Sequence, residues 1–192
     1  MGRYAPLILA ALLSGLVAWP FVRNLTGTEN QGMPGVQIGG HFALQTVSGI
    51  VDTKTIDRDV FLIYFGYTYC PDVCPTELAR MVQVIKGLGG NGNRVKGIFV
   101  TVDPKRDTVD AVTAYVRAFD SDLIGMTGDE GSVRRVMAQY QVYAKKVGDD
   151  ETNYLVDHIS RIYVVNREAQ LMALFAMDTD ISAMIEKIRS IL

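Results

Sequence analysis

Val60-Phe61-Leu62-Ile63-Tyr64-Phe65-Gly66-Tyr67-Thr68-Tyr69-Cys70-Pro71-Asp72-Val73-Cys74-Pro75 runs from a continuous apolar stretch into two cysteines flanked by prolines. The first six residues are aromatic and β-branched with no polar alternation, the pattern of a central strand buried on both faces. Gly66 closes it. From Pro75 to Leu88, apolar residues recur at Leu78, Met81, Val82 and Ile85, which is helical spacing. The cysteines therefore lie where a strand's carboxyl end passes into a helix, the place where open α/β sheets hold their ligands.

Working outward, strand and helix signals alternate. Val95–Val102 reads as a second strand, and Asp107-Thr108 opens a helix to Phe119 with Asp110 in its first turn. Thr127 to Glu130 has capping-box spacing ahead of a helix over Val133–Tyr140. Ile159–Val165 and Leu171–Phe175 form a hairpin joined through residues 166–170, and an amphipathic helix spans Ile181–Leu192. These elements predict an α/β domain over 41–192: a mixed central sheet with helices on both faces, in a thioredoxin-like arrangement.

The amino end differs in character. Ala5 to Val22 carries no charge, and as a helix it spans ~27 Å, just short of a hydrocarbon core of about 30 Å. Trp19 and Pro20 suit the membrane interface and make a poor signal-peptidase site, and no cysteine lies nearby to carry a lipid. Residues 1–23 read as an uncleaved transmembrane helix with its amino end cytoplasmic and the domain exported. Residues 24–40, rich in glycine and polar side chains, read as a flexible tether.

The 192 residues are 48% hydrophobic and 21% charged, a globular composition. With 19 basic against 21 acidic residues and no basic cluster, a nucleic-acid partner is excluded. Two cysteines cannot staple a scaffold, so the pair points to metal or redox chemistry. On a helix, a spacing of four puts both sulfurs on one face with Cα atoms about 6 Å apart, within reach of a disulfide or of one metal ion. The helix amino end is expected to lower the thiol pKa values.

Thiolates favour Cu(I), zinc or iron–sulfur clusters. A closed zinc site or a cluster needs four protein ligands, which two cysteines plus His41 and His158 do not supply convincingly. Two thiolates and an imidazole suit Cu(I) or Cu(II), one ion per chain; catalytic zinc with a water is the alternative. His158, in Val156-Asp157-His158-Ile159-Ser160 just before a predicted strand, is the candidate third ligand; the competing reading is a structural histidine bonded to backbone. Asp157 reads as a turn residue more readily than as a partner to the ring. His41 reads as a surface or edge residue, and Met126, Met137, Met172, Met177 and Met184 as core filler.

GYTYCPDVCP at Gly66–Pro75, VDPKRDT at Val102–Thr108 and VDH at Val156–His158, in that order after Gly39-Gly40-x-Phe42, resemble the Sco (SenC) family of copper chaperones for cytochrome c oxidase assembly. The resemblance implies a thioredoxin-like fold facing the periplasm or the mitochondrial intermembrane space, tethered to the inner membrane. It implies copper held by Cys70, Cys74 and His158, loaded by a copper donor and passed to the binuclear copper centre of oxidase subunit II. In VDPKRDT, Asp107 is expected to cap the helix it opens and Asp103 to fix the preceding loop.

Other functions use the same residues. A thiol–disulfide oxidoreductase that keeps acceptor cysteines reduced would use Cys70 and Cys74 and have no need of His158. A glutathione-peroxidase-like enzyme would want a tryptophan beside its reactive residue, and Trp19 lies in the anchor. An interaction domain with a structural disulfide leaves His158 without a purpose.

Overall fold

The computed structural model describes residues 38–192. In chain order its strands and helices begin with a hairpin, β1 (Ala43–Thr46) and β2 (Gly49–Asp52), followed by β3 (Val60–Gly66) and α1 (Val73–Gly87). Next come β4 (Val95–Thr101), α2 (Val109–Arg117), β5 (Ile124–Met126) and α3 (Glu130–Gln139). The last part holds β6 (Ala144–Val147), β7 (Leu155–His158), β8 (Ile162–Asn166), β9 (Leu171–Phe175) and α4 (Ile181–Arg189).

Five strands make the central sheet in the order β5-β4-β3-β8-β9, with β3, β4 and β5 mutually parallel, β8 antiparallel to β3 and β9 antiparallel to β8. Every residue of β3 is buried. Its pleat sends Val60, Leu62 and Tyr64 into one apolar core and Phe61, Ile63 and Phe65 into another. The first core is closed by Leu78 and Met81 of α1, Val112 and Val116 of α2, and Met184 and Ile188 of α4. The second is closed by Val133 and Val136 of α3 and by Leu44 of the hairpin. Truncating any of the larger members to alanine costs about 2–5 kcal/mol. Helices cover both faces, as the alternation of signals implies.

The folded unit starts before residue 41. Gly39 pairs with Gln170 and donates to the Gln139 carbonyl at 3.2 Å, and Gly40 donates to the Ala169 carbonyl at 2.8 Å. Gly39 has φ +114°, and a Cβ there would stand 2.5 Å from the Ala169 oxygen, so only glycine fits. The membrane anchor expected at 1–23 and the greater part of the expected tether lie outside the described residues. Among the described residues no helix is long and apolar enough to cross a membrane.

Several local expectations are corrected. Helix α1 begins at Val73, not Pro75, which places Cys74 inside its first turn. The strand expected from Ile159 begins at Ile162. The residues before it form a separate two-stranded ribbon in which β7 pairs antiparallel with β6, so His158 ends β7 and does not stand directly before β8. Asp129 caps α3 by accepting from the Ser132 amide, while Thr127 pairs with Gln45. Thr108 caps α2 in place of Asp107. Met126 and Met184 are buried, but Met172 and Met177 are 39% and 50% exposed and are not core filler.

Candidate metal centre

Beyond β3 the chain turns tightly, with the Cys70 amide donating to the Tyr67 carbonyl at 3.2 Å. Asp107 holds this loop. Its carboxylate accepts from the Thr68 amide at 3.0 Å, the Thr68 hydroxyl at 2.6 Å and the Thr101 hydroxyl at 2.6 Å. Burial pushes the Asp107 carboxyl up, against the pull of these hydrogen bonds. Released from capping duty, Asp107 ties the cysteine loop to the end of β4.

Asp72 flanks α1 without a side-chain cap. The Cys74 amide donates instead to Cys70 Sγ at 3.4 Å, so a sulfur takes the position that a capping oxygen normally fills. Cys70 is half-buried and Cys74 fully buried. Room for the second sulfur comes from Gly66, where a Cβ would stand 2.9 Å from Cys74 Sγ and 2.8 Å from the Tyr64 ring.

His158 reaches the same place from the ribbon. Its Nε2 lies 3.5 Å from Cys74 Sγ, and its Nδ1 lies 3.2 Å from the Ile159 carbonyl. Nδ1–H is the donor to Ile159 by assignment from these partners, which leaves the Nε2 lone pair facing the thiol. Tyr64 and Tyr67 stand edge-on to the imidazole at 6.2 and 5.9 Å between centroids. The Tyr64 hydroxyl donates to Cys74 Sγ at 3.6 Å and meets Ser160 Oγ at 3.0 Å. A chain of hydrogen bonds therefore runs Ser160, Tyr64, Cys74, His158, Ile159.

Two protonation equilibria follow from burial. Desolvation holds the His158 imidazole below its ordinary value, against weaker opposing pulls from the Ile159 carbonyl and Asp157, so the ring is neutral at neutral pH. Desolvation pushes the Cys74 thiol up to about 12. The expectation that the helix end lowers both thiol pKa values is thus corrected for Cys74: burial outweighs the helix terminus.

The accessible side of this cluster is a cleft of about 430 Å³ whose walls include Cys70, His158, Tyr67, Leu155, Val147 and Met177. A first-row ion bonded to sulfur at about 2.3 Å and to nitrogen at about 2.0 Å spans the 3.5 Å gap between Cys74 and His158 at an angle close to tetrahedral. A neutral imidazole and a thiol suit a soft or borderline ion. Among the described residues no three Cys, His, Asp or Glu side chains already converge on one point, because the Cys70 sulfur is turned to the Cys74 amide. Asp157 is exposed and opposite Lys145 in the ribbon, while the Ile159 carbonyl orients the ring. His41 Nδ1 meets Thr53 Oγ1 at 3.2 Å, a structural role at the domain's first strand. Sequence reasoning passed over Tyr64, Tyr67 and Ser160, and took Met177 for core filler. A tyrosine inside an otherwise apolar strand was the available signal, since its buried hydroxyl needs a partner.

The family described as SCO1/SenC matches residues 30–192. The chain is 34% identical over 171 residues to an SCO2-like protein of Rickettsia conorii, covering 88% of this chain and 83% of that one. It is 36% identical over 148 residues to the mitochondrial SCO1 homolog of Homo sapiens, covering 73% of this chain and 48% of that longer protein. The structure of Bradyrhizobium japonicum ScoI with copper bound superposes with a TM-score of 0.73 at 36% identity, covering 81% of this chain and 99% of that one.

Proposed function

The chain belongs to the SCO1/SenC family, and on that basis we propose that it carries one copper ion between Cys70, Cys74 and His158. The acceptor is the binuclear copper centre of cytochrome c oxidase subunit II, and the domain works outside the cytoplasm, held at the inner membrane by residues 1–23. The observation that carries this reading is the 3.5 Å approach of Cys74 Sγ to His158 Nε2 across 84 positions of sequence.

The chemistry fits at each atom. His158 offers a neutral lone pair, and Cys74 keeps its proton until a cation replaces it, so metal binding releases a proton from the buried thiol. Copper takes the position of the hydrogen that Cys74 donates to the imidazole. Cys70, accessible in the cleft, closes the ligand set and is the sulfur that an incoming acceptor ligand meets first. Three ligands leave a coordination position open for that exchange. Tyr64 and Ser160 orient the Cys74 sulfur without competing as cations or carboxylates.

A second reading is favoured by the inequality of the two thiols. Cys70 is accessible and Cys74 buried behind it, an arrangement that also suits dithiol exchange: attack by Cys70 on a disulfide, then closure of the Cys70–Cys74 bond, delivers two electrons and leaves the partner as a dithiol.

Anaerobic copper titration of the reduced full chain beside His158→Ala separates them. One copper per chain, with Cu(II) binding lost in the variant, supports the carrier. No copper at micromolar protein, with a test disulfide still reduced, makes the protein a reductase.

A further inference from the structure

Among the described residues, the ribbon that delivers His158 pairs strand to strand only with itself, and an isolated two-stranded hairpin is marginally stable in water. Val156 and Tyr154 bury against the first core, yet Val147 and Leu155 are half or more exposed. Besides the His158–Cys74 contact, one set of its polar ties runs to Arg106 in the β4–α2 loop. Arg106 Nη1 donates to the Tyr154 carbonyl at 2.9 Å, directly before β7, and Arg106 Nε donates to Asp103 Oδ2 at 2.6 Å. The Tyr154 hydroxyl returns to Asp103 Oδ1 at 2.7 Å, closing a ring of three residues.

The same guanidinium is shared with the cysteine loop. Its carbon lies 3.6 Å from the Tyr154 ring centroid, 4.7 Å from that of Tyr69 and 5.8 Å from that of Tyr67. Tyr69 precedes Cys70, and Tyr67 stands edge-on to His158. The Arg106 and Asp103 side chains are 11% and 6% exposed, so the pair is shielded from salt and geometrically constrained. A planar fork that stacks and donates at once is a task for arginine and not for lysine.

We propose that Arg106 is a positioning residue: through Asp103, Tyr154 and Tyr67 it locks the His158 ribbon to the cysteine loop and so decides whether the thiol pair has its third ligand. The thiols have holds of their own besides Arg106: α1 carries Cys74, and Asp107 bonds Thr68 and Thr101 of the cysteine loop and β4. Loosening Arg106 therefore moves the histidine more than the sulfurs. Cu(I), satisfied by two thiolates, stays; Cu(II), which depends more on the imidazole, is weakened. This rests on the copper-carrier reading.

The test compares the full chain, Arg106→Lys and His158→Ala. In the reduced, copper-free state, Arg106→Lys is expected to raise hydrogen exchange of the β6–β7 amides about tenfold while β3, β4 and β8 keep their protection. In titrations with copper alone, Cu(II) affinity falls about tenfold with altered Cu(II) spectra, and Cu(I) affinity stays within about twofold. Unchanged ribbon exchange overturns the proposal. So does a uniform rise across the central sheet, which marks a purely structural role, and so does a loosened ribbon with intact Cu(II) binding. A wild-type chain that binds no copper overturns the carrier reading instead, while the exchange data still decide whether Arg106 locks the ribbon.

Discussion

Gly66→Ala tests the packing that makes room for the buried sulfur. The added methyl would stand 2.8 Å from Tyr64 Cε1, 2.9 Å from Cys74 Sγ and 3.0 Å from Phe99 Cε2, where carbon contacts are relaxed at about 3.5–4.0 Å. None of the three neighbours has free space, since Tyr64, Cys74 and Phe99 are each 0% exposed. Moving Tyr64 gives up its bonds to Ser160 and Cys74; moving Phe99 disturbs its contact with Tyr115 at 5.4 Å between centroids. Turning Cys74 gives up the 3.5 Å approach to His158. Overpacking of this kind costs about 1–3 kcal/mol. For a domain of this size that lowers Tm by about 2–12 °C. Gly90→Ala is the control, because a Cβ there meets nothing within 4 Å, and its effect is expected within about 0.5 kcal/mol. Calorimetry of the reduced, copper-free chains reads the stability, and a Cu(II) titration of each reads the site. A Gly66→Ala chain that melts with the Gly90→Ala chain and binds Cu(II) as wild type does would show that Cys74 does not lie against Gly66.

Two further outcomes are expected from the same geometry. With limiting iodoacetamide on the reduced chain, peptide mapping should find Cys70 alkylated well before Cys74, because Cys70 lines the cleft while Cys74 is buried with its thiol pushed up to about 12; equal labelling would contradict that inequality. As for pH, burial holds the folded His158 below its unfolded value of 6.5, so on acidification the unfolded chain takes up the proton first and stability falls as pH drops below 6.5. Urea midpoints of wild type and His158→Gln at about pH 8 and about pH 5 should show the larger acid loss in wild type, and parallel losses would mean that the imidazole is not desolvated.

Local pattern decided a good deal. The apolar run Val60–Phe65 could only be a strand buried on both faces, and the helical spacing of Leu78, Met81, Val82 and Ile85 could only follow it as a helix, because both periods are written in consecutive residues. That places Cys70 and Cys74 at a strand-to-helix turn from local pattern alone. Capping was less legible. Thr127 and Asp129 were both competent acceptors near α3, and Asp107 and Thr108 near α2; the choice fell to where the chain enters, with Thr127 drawn to Gln45 and Asp107 drawn to Thr68 and Thr101. The hairpin β1–β2 and the ribbon β6–β7 were invisible for a related reason: each strand has four residues, too few for a period to stand out even where burial alternates, as at Leu44 and Thr46 of β1.

What the sequence alone determined about this protein is which groups are available: two thiols four residues apart at a strand-to-helix turn, and one scarce histidine far along the chain. Only the tertiary structure decided that His158 stands 3.5 Å from Cys74, that it arrives on a ribbon pinned by Arg106, and that the Cys74 thiol is pushed up and not down. Periodicity and capping are set by neighbours within a turn or two. Desolvation and distance are set by whatever the remaining chain brings alongside, and no local pattern encodes them.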